Sequence, residues 1–292
     1  MSSDYFTRTQ AEQLHAFLEA HPRCFVVTGA GCSTESGIPA YRDDRGELRH
    51  RTPITYQQFV GSAEARRRYW ARSVVGYARV REATPSRSHL ALHKLEQLGR
   101  LRLLVTQNVD GLHQATGSRK IVALHGNLAQ VRCLQCGDIS GRDELQRRLC
   151  RLNPQLTHPS ATRDRGAAPD GDAALEGERL RGFAVADCLH CSGLLKPHVV
   201  FFGETVPADH VQQAYRNLAE SDALLVVGSS LMVFSGYRFA KRAAALGLPI
   251  VIVNRGFCRA ASLATFQLSG SCGALLEAAV GGLAPAKATR GL

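Results

Sequence analysis

Leu101-Arg102-Leu103-Leu104-Val105-Thr106-Gln107-Asn108-Val109-Asp110-Gly111-Leu112-His113 is the stretch that decides the fold class. An apolar run of strand length stops abruptly at an amide, a carboxylate and an imidazole. A second short run, Ile121-Val122-Ala123-Leu124, stops in the same way at His125-Gly126. Open α/β sheets place their ligand chemistry just past the carboxyl ends of their strands. Asn108, Asp110 and His125 are therefore candidate functional groups, and the pattern points to an enzyme.

Upstream, Cys24-Phe25-Val26-Val27-Thr28 is continuously apolar, as a strand buried on both faces must be, and it runs into Gly29-Ala30-Gly31-Cys32-Ser33. Glycines there permit a tight turn and let backbone N–H groups approach a phosphate. The third glycine of a dinucleotide fingerprint would fall at position 34, where Thr34 stands, and no acidic ribose ligand follows at the usual spacing. The loop speaks for a nucleotide more than for hydride transfer. Taken alone, it fits a simple strand-to-helix turn equally well.

Downstream the alternation is regular. Val199–Phe202 reads as a strand, 208–219 as a helix, Ala223–Val227 as a strand, about 236–246 as a helix and Pro249–Val253 as a strand. Helical spacing also marks residues 8–20, 56–82 and 89–98, the last closed by Gly99. Such βαβα order predicts a parallel sheet with helices on both faces. Residues 137–187 break the rhythm with Pro154, Pro159, Gly166, Pro169 and Gly171 and an acidic cluster of Asp164, Asp170, Asp172, Glu176 and Glu178. That segment reads as a loop-rich insertion, and the tail after Gly281 is expected to fray.

The 292 residues, 45% hydrophobic and 21% charged, suit a globular protein with an ordinary core. No apolar run approaches the ~20 residues of a membrane span, and the N-terminus lacks a signal-peptide pattern. A soluble, cytoplasmic protein with no membrane association is expected. The formal charge of +11 favours anionic partners. Its arginines are dispersed without interleaved aromatics, so direct nucleic-acid recognition is not expected.

Nine cysteines make an odd set for disulfides. Four form two knuckles, Cys133-x-x-Cys136 and Cys188-x-x-Cys191, the donor set of a tetrahedral structural zinc. Sulfur at every position leaves no open site for a catalytic water. A redox role fits less well, because neither pair opens a helix after a strand.

Gly29-Ala30-Gly31-Cys32-Ser33-Thr34-Glu35-Ser36-Gly37-Ile38-Pro39-Ala40-Tyr41-Arg42 resembles the NAD-binding signature of the sirtuins. So do Thr106–His113, Leu124-His125-Gly126, the cysteine knuckles, Lys196-Pro197-His198-Val199-Val200-Phe201-Phe202-Gly203-Glu204 and Gly228-Ser229-Ser230. They occur in the family's order across roughly residues 8–280, and the chain looks most like the mitochondrial-type (class II) branch and its bacterial relatives. The resemblance implies a doubly wound, Rossmann-like α/β domain over 1–130 and 196–292, a helical insertion at about 44–84 and a small zinc-binding domain over 131–195.

It also implies roles. Gly29, Ala30, Gly31, Ser33, Arg42 and Gln107 would line an NAD pocket. Asn108 and Asp110 would hold its nicotinamide end, and Gly228, Ser229, Ser230, Asn254, Arg255, Gly256 and Cys272 its adenosine half. His125 would be the general base, a role that an imidazole with pKa near 6.5 suits. Positive charge developing on the ribose would be stabilised by a buried carboxylate. Val199, Phe201, Phe202, Gly203 and Glu204 would border an acylated-lysine peptide paired by β-augmentation. Read without the family, Phe201 and Phe202 are core residues.

Tyr69-Trp70-Ala71-Arg72 resembles the Tyr-x-x-Arg of sirtuins that prefer acidic acyl groups. The i, i+3 spacing places both side chains on one helical face, where an arginine fork matches a carboxylate. An ordinary arginine-rich helix explains the pair as well. Two positions depart from the family: Ala40 where Asp is usual, which questions the order of the cofactor loop, and His198 where Asp is common. The implied activity is NAD-dependent protein-lysine deacylation giving nicotinamide and an O-acyl-ADP-ribose. Rival readings are a mono-ADP-ribosyltransferase, a deacylase specific for acidic or lipoyl-type groups, and an inactive NAD-sensing module.

Overall fold

A computed structural model describes residues 2–49, 53–154 and 182–286. Along the chain, α1 (Ser2–Ala20) leads into β1 (Cys24–Thr28), and α2 (Tyr56–Gly61) and α3 (Ala63–Glu82) precede α4 (Arg87–Gln97) and β2 (Leu101–Thr106). After α5 (Leu112–Ala115) come β3 (Ile121–Ala123), β4 (Gly126–Cys133), β5 (Ile139–Gly141), α6 (Arg142–Leu152) and β6 (Leu195–Val199). The chain continues through α7 (Ala208–Ala219), β7 (Ala223–Val227), α8 (Phe234–Ala245), β8 (Ile250–Val253), β9 (Phe266–Leu268) and α9 (Cys272–Gly281).

Six strands form one parallel sheet in the order β3-β2-β1-β7-β8-β9. Alternate side chains feed its two faces, as the pleat requires. Val26, Leu104, Leu225 and Val251 pack under α1, α4 and α9, whereas Val27, Val105, Val226 and Ile252 pack under α7 and α8. Full burial on both faces is why β1, β7 and β8 are continuous apolar runs, whereas β2 admits the exposed Arg102 and the edge strands β3 and β9 are only partly buried.

The strand order reverses between β1 and β7, which opens a crevice at their carboxyl ends. There the two following loops touch backbone to backbone: Gly29 N donates to Val227 O at 3.1 Å and Gly31 N to Gly228 O at 2.8 Å. A Cβ on Gly31 would lie 2.7 Å from Gly228 Cα, so the crossing loops themselves demand glycine. Gly228 also needs it for its φ of +60°.

A second, three-stranded sheet in the order β5-β4-β6 carries the cysteine knuckles. It shares a separate core with α2, α3 and α6, built from Phe59, Trp70, Val74, Leu145 and Leu149. Arg142 is only 1% exposed in that core. Its guanidinium lies over the rings of Tyr77 (4.4 Å) and Trp70 (5.4 Å) and donates to Ser73 Oγ at 3.2 Å. The aromatic faces and the hydroxyl partly replace the water lost on burial.

Four expectations need correction. The helix over 56–82 breaks at Ser62, whose hydroxyl caps a new helix by accepting from Ala65 N at 3.1 Å. The strand placed at Val199–Phe202 is instead β6, ending at Val199; Gly203, at φ +77°, turns the chain into a hook. The insertion is not all loop, because β5 and α6 occupy its start; α6 hides its apolar face among many charged residues. The acidic cluster lies outside the described residues. Beyond Gly281 the chain is pinned through 286: Arg100 Nε donates to Ala284 O at 2.6 Å and Ala286 N to Leu98 O at 2.8 Å.

Candidate active site

The crevice between β1 and β7 widens into a cavity of about 610 Å³. The ends of β1, β2, β3, β7 and β8 supply one wall: Gly29, Ala30, Gly31, Gln107, Asn108, His125, Gly228, Ser229, Ser230, Asn254, Arg255 and Gly256. Arg42 and Cys272 line it as well. A second wall is the end of β6 and the hook after it, which contribute Val199, Phe201, Phe202, Gly203 and Glu204 and join the first where Val200 N donates to His125 O at 2.8 Å. Ser33 and Asp110 sit in a small side chamber that shares Ala30, Gln107, Asn108 and Val109 with the main cavity.

The polar end is rigidly wired. Asp110 accepts from Ser33 Oγ at 2.6 Å and from Leu112 N at 2.9 Å. Asn108 Nδ2 donates to Gly29 O at 3.0 Å and to Ser33 Oγ at 3.1 Å, which directs its amide hydrogens inward. Gln107 Nε2 donates to Ser229 Oγ at 2.7 Å and ties β2 to β7.

His125 Nδ1 lies 2.9 Å from Gln107 O. A carbonyl only accepts, so Nδ1 carries the hydrogen and Nε2 the lone pair. Burial, reinforced by the nearby Arg238 guanidinium, lowers its pKa from 6.5 against the opposing pull of the Gln107 bond. The ring is therefore neutral at neutral pH, as a base must be. His113, which the sequence left without a catalytic role, is buried against His89 at 4.5 Å and bonded to Thr28 Oγ1 at 3.1 Å, and it packs rather than faces the cavity.

Tyr69 and Arg72 do not reach the cavity wall. Tyr69 is buried one layer behind it, edge-on to Phe201 at 5.3 Å and to Phe59 at 5.4 Å. Glu204 lines the cavity, yet its carboxylate is bound inward: Oε2 lies 3.0 Å from Lys196 Nζ and accepts from Phe201 N at 2.8 Å. Lys196, 5% exposed, also donates to Pro197 O at 3.3 Å and to Val199 O, and stands over the Phe201 ring at 4.7 Å. Two residues missed from the sequence, Ser235 and Arg238 in the first turns of α8, line the cavity beside His125. Only the position of α8 just beyond β7 hinted at them.

Ala40 lines the cavity, and hydrogen bonds cross the described part of the loop that follows. Asp43 Oδ1 accepts from Arg45 N (3.0 Å) and Glu47 N (2.9 Å), Arg42 Nη1 donates to Gly46 O at 2.7 Å, and Phe257 N donates to Asp44 O at 2.9 Å.

The four knuckle sulfurs lie within 4.8 Å of one another, with Cys133–Cys191 at 3.5 Å and Cys136–Cys188 at 3.8 Å. Tetrahedral Zn–S bonds of about 2.3 Å require sulfurs roughly 3.8 Å apart, so the set fits zinc. The thiols perturb one another: the backbone N–H of Cys136 pulls Cys133 down to about 6, while bonds to neighbouring sulfurs push Cys136 and Cys191 up, and a metal would have to displace the protons they share. None of the four lines the cavity, which assigns the metal a structural role.

A model of the Sir2 family matches residues 29–235, a span that includes the glycine loop, Asn108, Asp110, His125, the hook and all four cysteines. The chain belongs to the Sir2 family. Among its relatives, an NAD-dependent protein deacetylase of Bordetella bronchiseptica is 50% identical over 269 residues, covering 92% of this chain and 97% of that protein. The NAD-dependent protein lipoamidase sirtuin-4, mitochondrial, of Bos taurus is 46% identical over 270 residues, 91% of this chain and 84% of that one. A solved Sir2 structure with a deacetylated p53 peptide and 3′-O-acetyl-ADP-ribose matches with TM-score 0.72 and 25% identity, covering 91% of this chain and 96% of its own. Among the described residues of this chain no helix is long and apolar enough to cross a membrane.

Proposed function

We propose that this Sir2-family chain is an NAD-dependent protein-lysine deacylase that releases nicotinamide and moves the acyl group to ADP-ribose. The supporting observation is that Asn108 and a neutral, oriented His125 line one cavity together with a shaped hook, while Asp110 stands in the side chamber that Asn108 shares with it. The family's relatives at about 50% identity carry the deacetylase name over nearly their whole length.

The cavity suits NAD chemically: hydroxyl and amide groups from strand ends line one side, and Arg42 and Arg255 offer charge to a diphosphate. Bound NAD supplies an electrophilic ribose carbon once nicotinamide departs, together with ribose hydroxyls. Asp110, enclosed and fixed by Ser33 and Leu112 N, places negative charge where positive charge builds. Asn108 is held by Gly29 O and Ser33 and orients the departing end. His125 takes a hydroxyl proton at Nε2, while Gln107 O keeps the other ring nitrogen protonated and the ring in place.

Purified protein with NAD and an acyl-lysine peptide should yield nicotinamide, free lysine and O-acyl-ADP-ribose in equal amounts by mass spectrometry. ADP-ribose appearing on protein instead would assign a transferase, and absence of nicotinamide release would leave a binding module.

A second reading concerns the acyl group. Tyr69 and Arg72 stand off the wall, whereas Phe202 (42% exposed) and Phe234 (53% exposed) present apolar surface to the cavity. This favours a neutral, apolar acyl chain of lipoyl type over an acidic one. Arg72→Met should leave the ratio of lipoyl to succinyl turnover within about 2-fold, since an arginine that does not touch the acyl group contributes no fork to it. A selective loss of succinyl turnover sinks this reading.

A further inference from the structure

Ser235 stands in the first turn of α8, 8% exposed, with its Oγ 2.7 Å from His125 Nε2. Gln107 O holds the hydrogen of Nδ1, so in the neutral ring Nε2 has only a lone pair to offer and the serine hydroxyl must donate to it. The atom that would act as base is thus already engaged, by a residue from the opposite half of the sheet. The neighbouring residues of α8 fit the same arrangement. Gly236 leaves room for Gln107, whose Oε1 would lie 2.4 Å from a Cβ there, and Arg238 brings a guanidinium to the cavity wall.

We infer that Ser235 is the positioning residue of His125, holding the ring in one orientation through the whole proton cycle. A hydroxyl is suited to this task because it donates to a bare nitrogen and accepts from a protonated one. When His125 takes a proton at Nε2, rotation of the Ser235 hydroxyl hydrogen about the Cβ–Oγ bond reverses the hydrogen bond with the oxygen in place, and the imidazole does not have to turn. A carbonyl or an ammonium could serve only one of the two states. The inference rests on the reading of His125 as the base.

The charged group that faces His125 is Arg238 on α8, which disfavours the imidazolium. Asp110 is turned into the side chamber toward Ser33, and Glu204 on the hook is bound to Lys196. Among the described residues no carboxylate is bonded to Nε2, so the Ser235 oxygen is the acceptor at hand for Nε2–H⁺, and bonds to charged donors are the stronger kind. Ser235→Ala should therefore lower the His125 pKa further, by about half a unit or more. Arg238→Met removes a repelling charge and should raise it.

The experiment is an NMR titration of the imidazole in the NAD-free protein, paired with steady-state kinetics. Ser235→Ala is expected to shift the titration and the acid limb of kcat/KM to lower pH. It should also lower kcat about 5- to 20-fold, with KM for NAD within about 2-fold, as for loss of an orienting contact. Ser235→Thr, which keeps the hydroxyl, should restore most of kcat, and Arg238→Met should move the titration the opposite way. An unmoved titration in a folded Ser235→Ala protein overturns the inference, and so does a moved titration with unchanged kcat. Full activity in His125→Ala would instead overturn the base reading, while the NMR shift would still report the Ser235 bond.

Discussion

The cavity's two walls are made in different ways. The strand-end wall is held by main-chain contacts between crossing loops, Gly29 with Val227 and Gly31 with Gly228, on top of a fully buried sheet. The hook wall has main-chain bonds too, Val200 N to His125 O at 2.8 Å and Tyr56 N to Phe202 O at 2.9 Å, but its shape depends on side-chain clips: the Lys196–Glu204 pair, the Glu204 cap on Phe201 N, and the ring stack of Phe59, Tyr69 and Phe201. Main-chain contacts survive most substitutions, because every residue type supplies the same N–H and C=O. Side-chain clips do not. The strand-end wall should therefore govern whether chemistry occurs, and the hook wall which peptide and acyl group arrive.

The sharpest separation comes from His125→Ala. It should lower kcat by about 10²–10⁴ in a nicotinamide-release assay while peptide binding by calorimetry stays near wild type. Comparable loss of peptide binding would join the walls into one unit.

Zinc removal probes the other side. Chelation should release about one equivalent of metal and collapse the small sheet, since structural zinc sites contribute folding energy outright. Peptide binding should fall at least about tenfold, a 1.4 kcal/mol loss, with NAD affinity much less affected. Equal losses would break the comparison.

Lys196→Met tests the clip alone. It should raise KM for peptide roughly tenfold and leave KM for NAD within about 2-fold. It should also cost about 2–3 kcal/mol of stability, less than a fully buried pair because Glu204 keeps some exposure. Adding Glu204→Gln should recover stability without recovering KM, because the uncompensated carboxylate is gone but the hook is still unclipped.

The smallest effect is acid sensitivity beneath the strand-end wall. Burial lowers the pKa of both His89 and His113 below 6.5. The unfolded chain then binds more protons than the folded one below about pH 6.5, so stability is flat above that value and declines as pH falls through it. Urea unfolding between pH 5 and 8 measures the slope, and His113→Gln should reduce it.

Much of this was legible in the residues. Five strands announced themselves as apolar runs, four of them buried on both faces, and the polar residues that end those runs mark the carboxyl edge that carries Asn108, Asp110 and His125. The knuckles were legible because zinc needs two thiolates from each tight turn. The hook was misread as more strand, since Val199–Phe202 is as apolar as any strand and only Gly203's φ of +77° reveals the turn. Helix α6 was hidden because its buried face is short and includes Arg142, a residue that composition assigns to solvent.

The sequence by itself determined the parallel sheet, the four-thiolate site and the groups at the strand ends, because each is a local pattern imposed by burial, turn geometry or ligand chemistry. Only the tertiary structure decided that Tyr69 stands behind Phe201, that Glu204 turns inward to Lys196, and that Ser235 meets His125 across 110 residues of chain. Those choices depend on which side chains meet once the elements have packed, and no spacing along the chain encodes such a meeting.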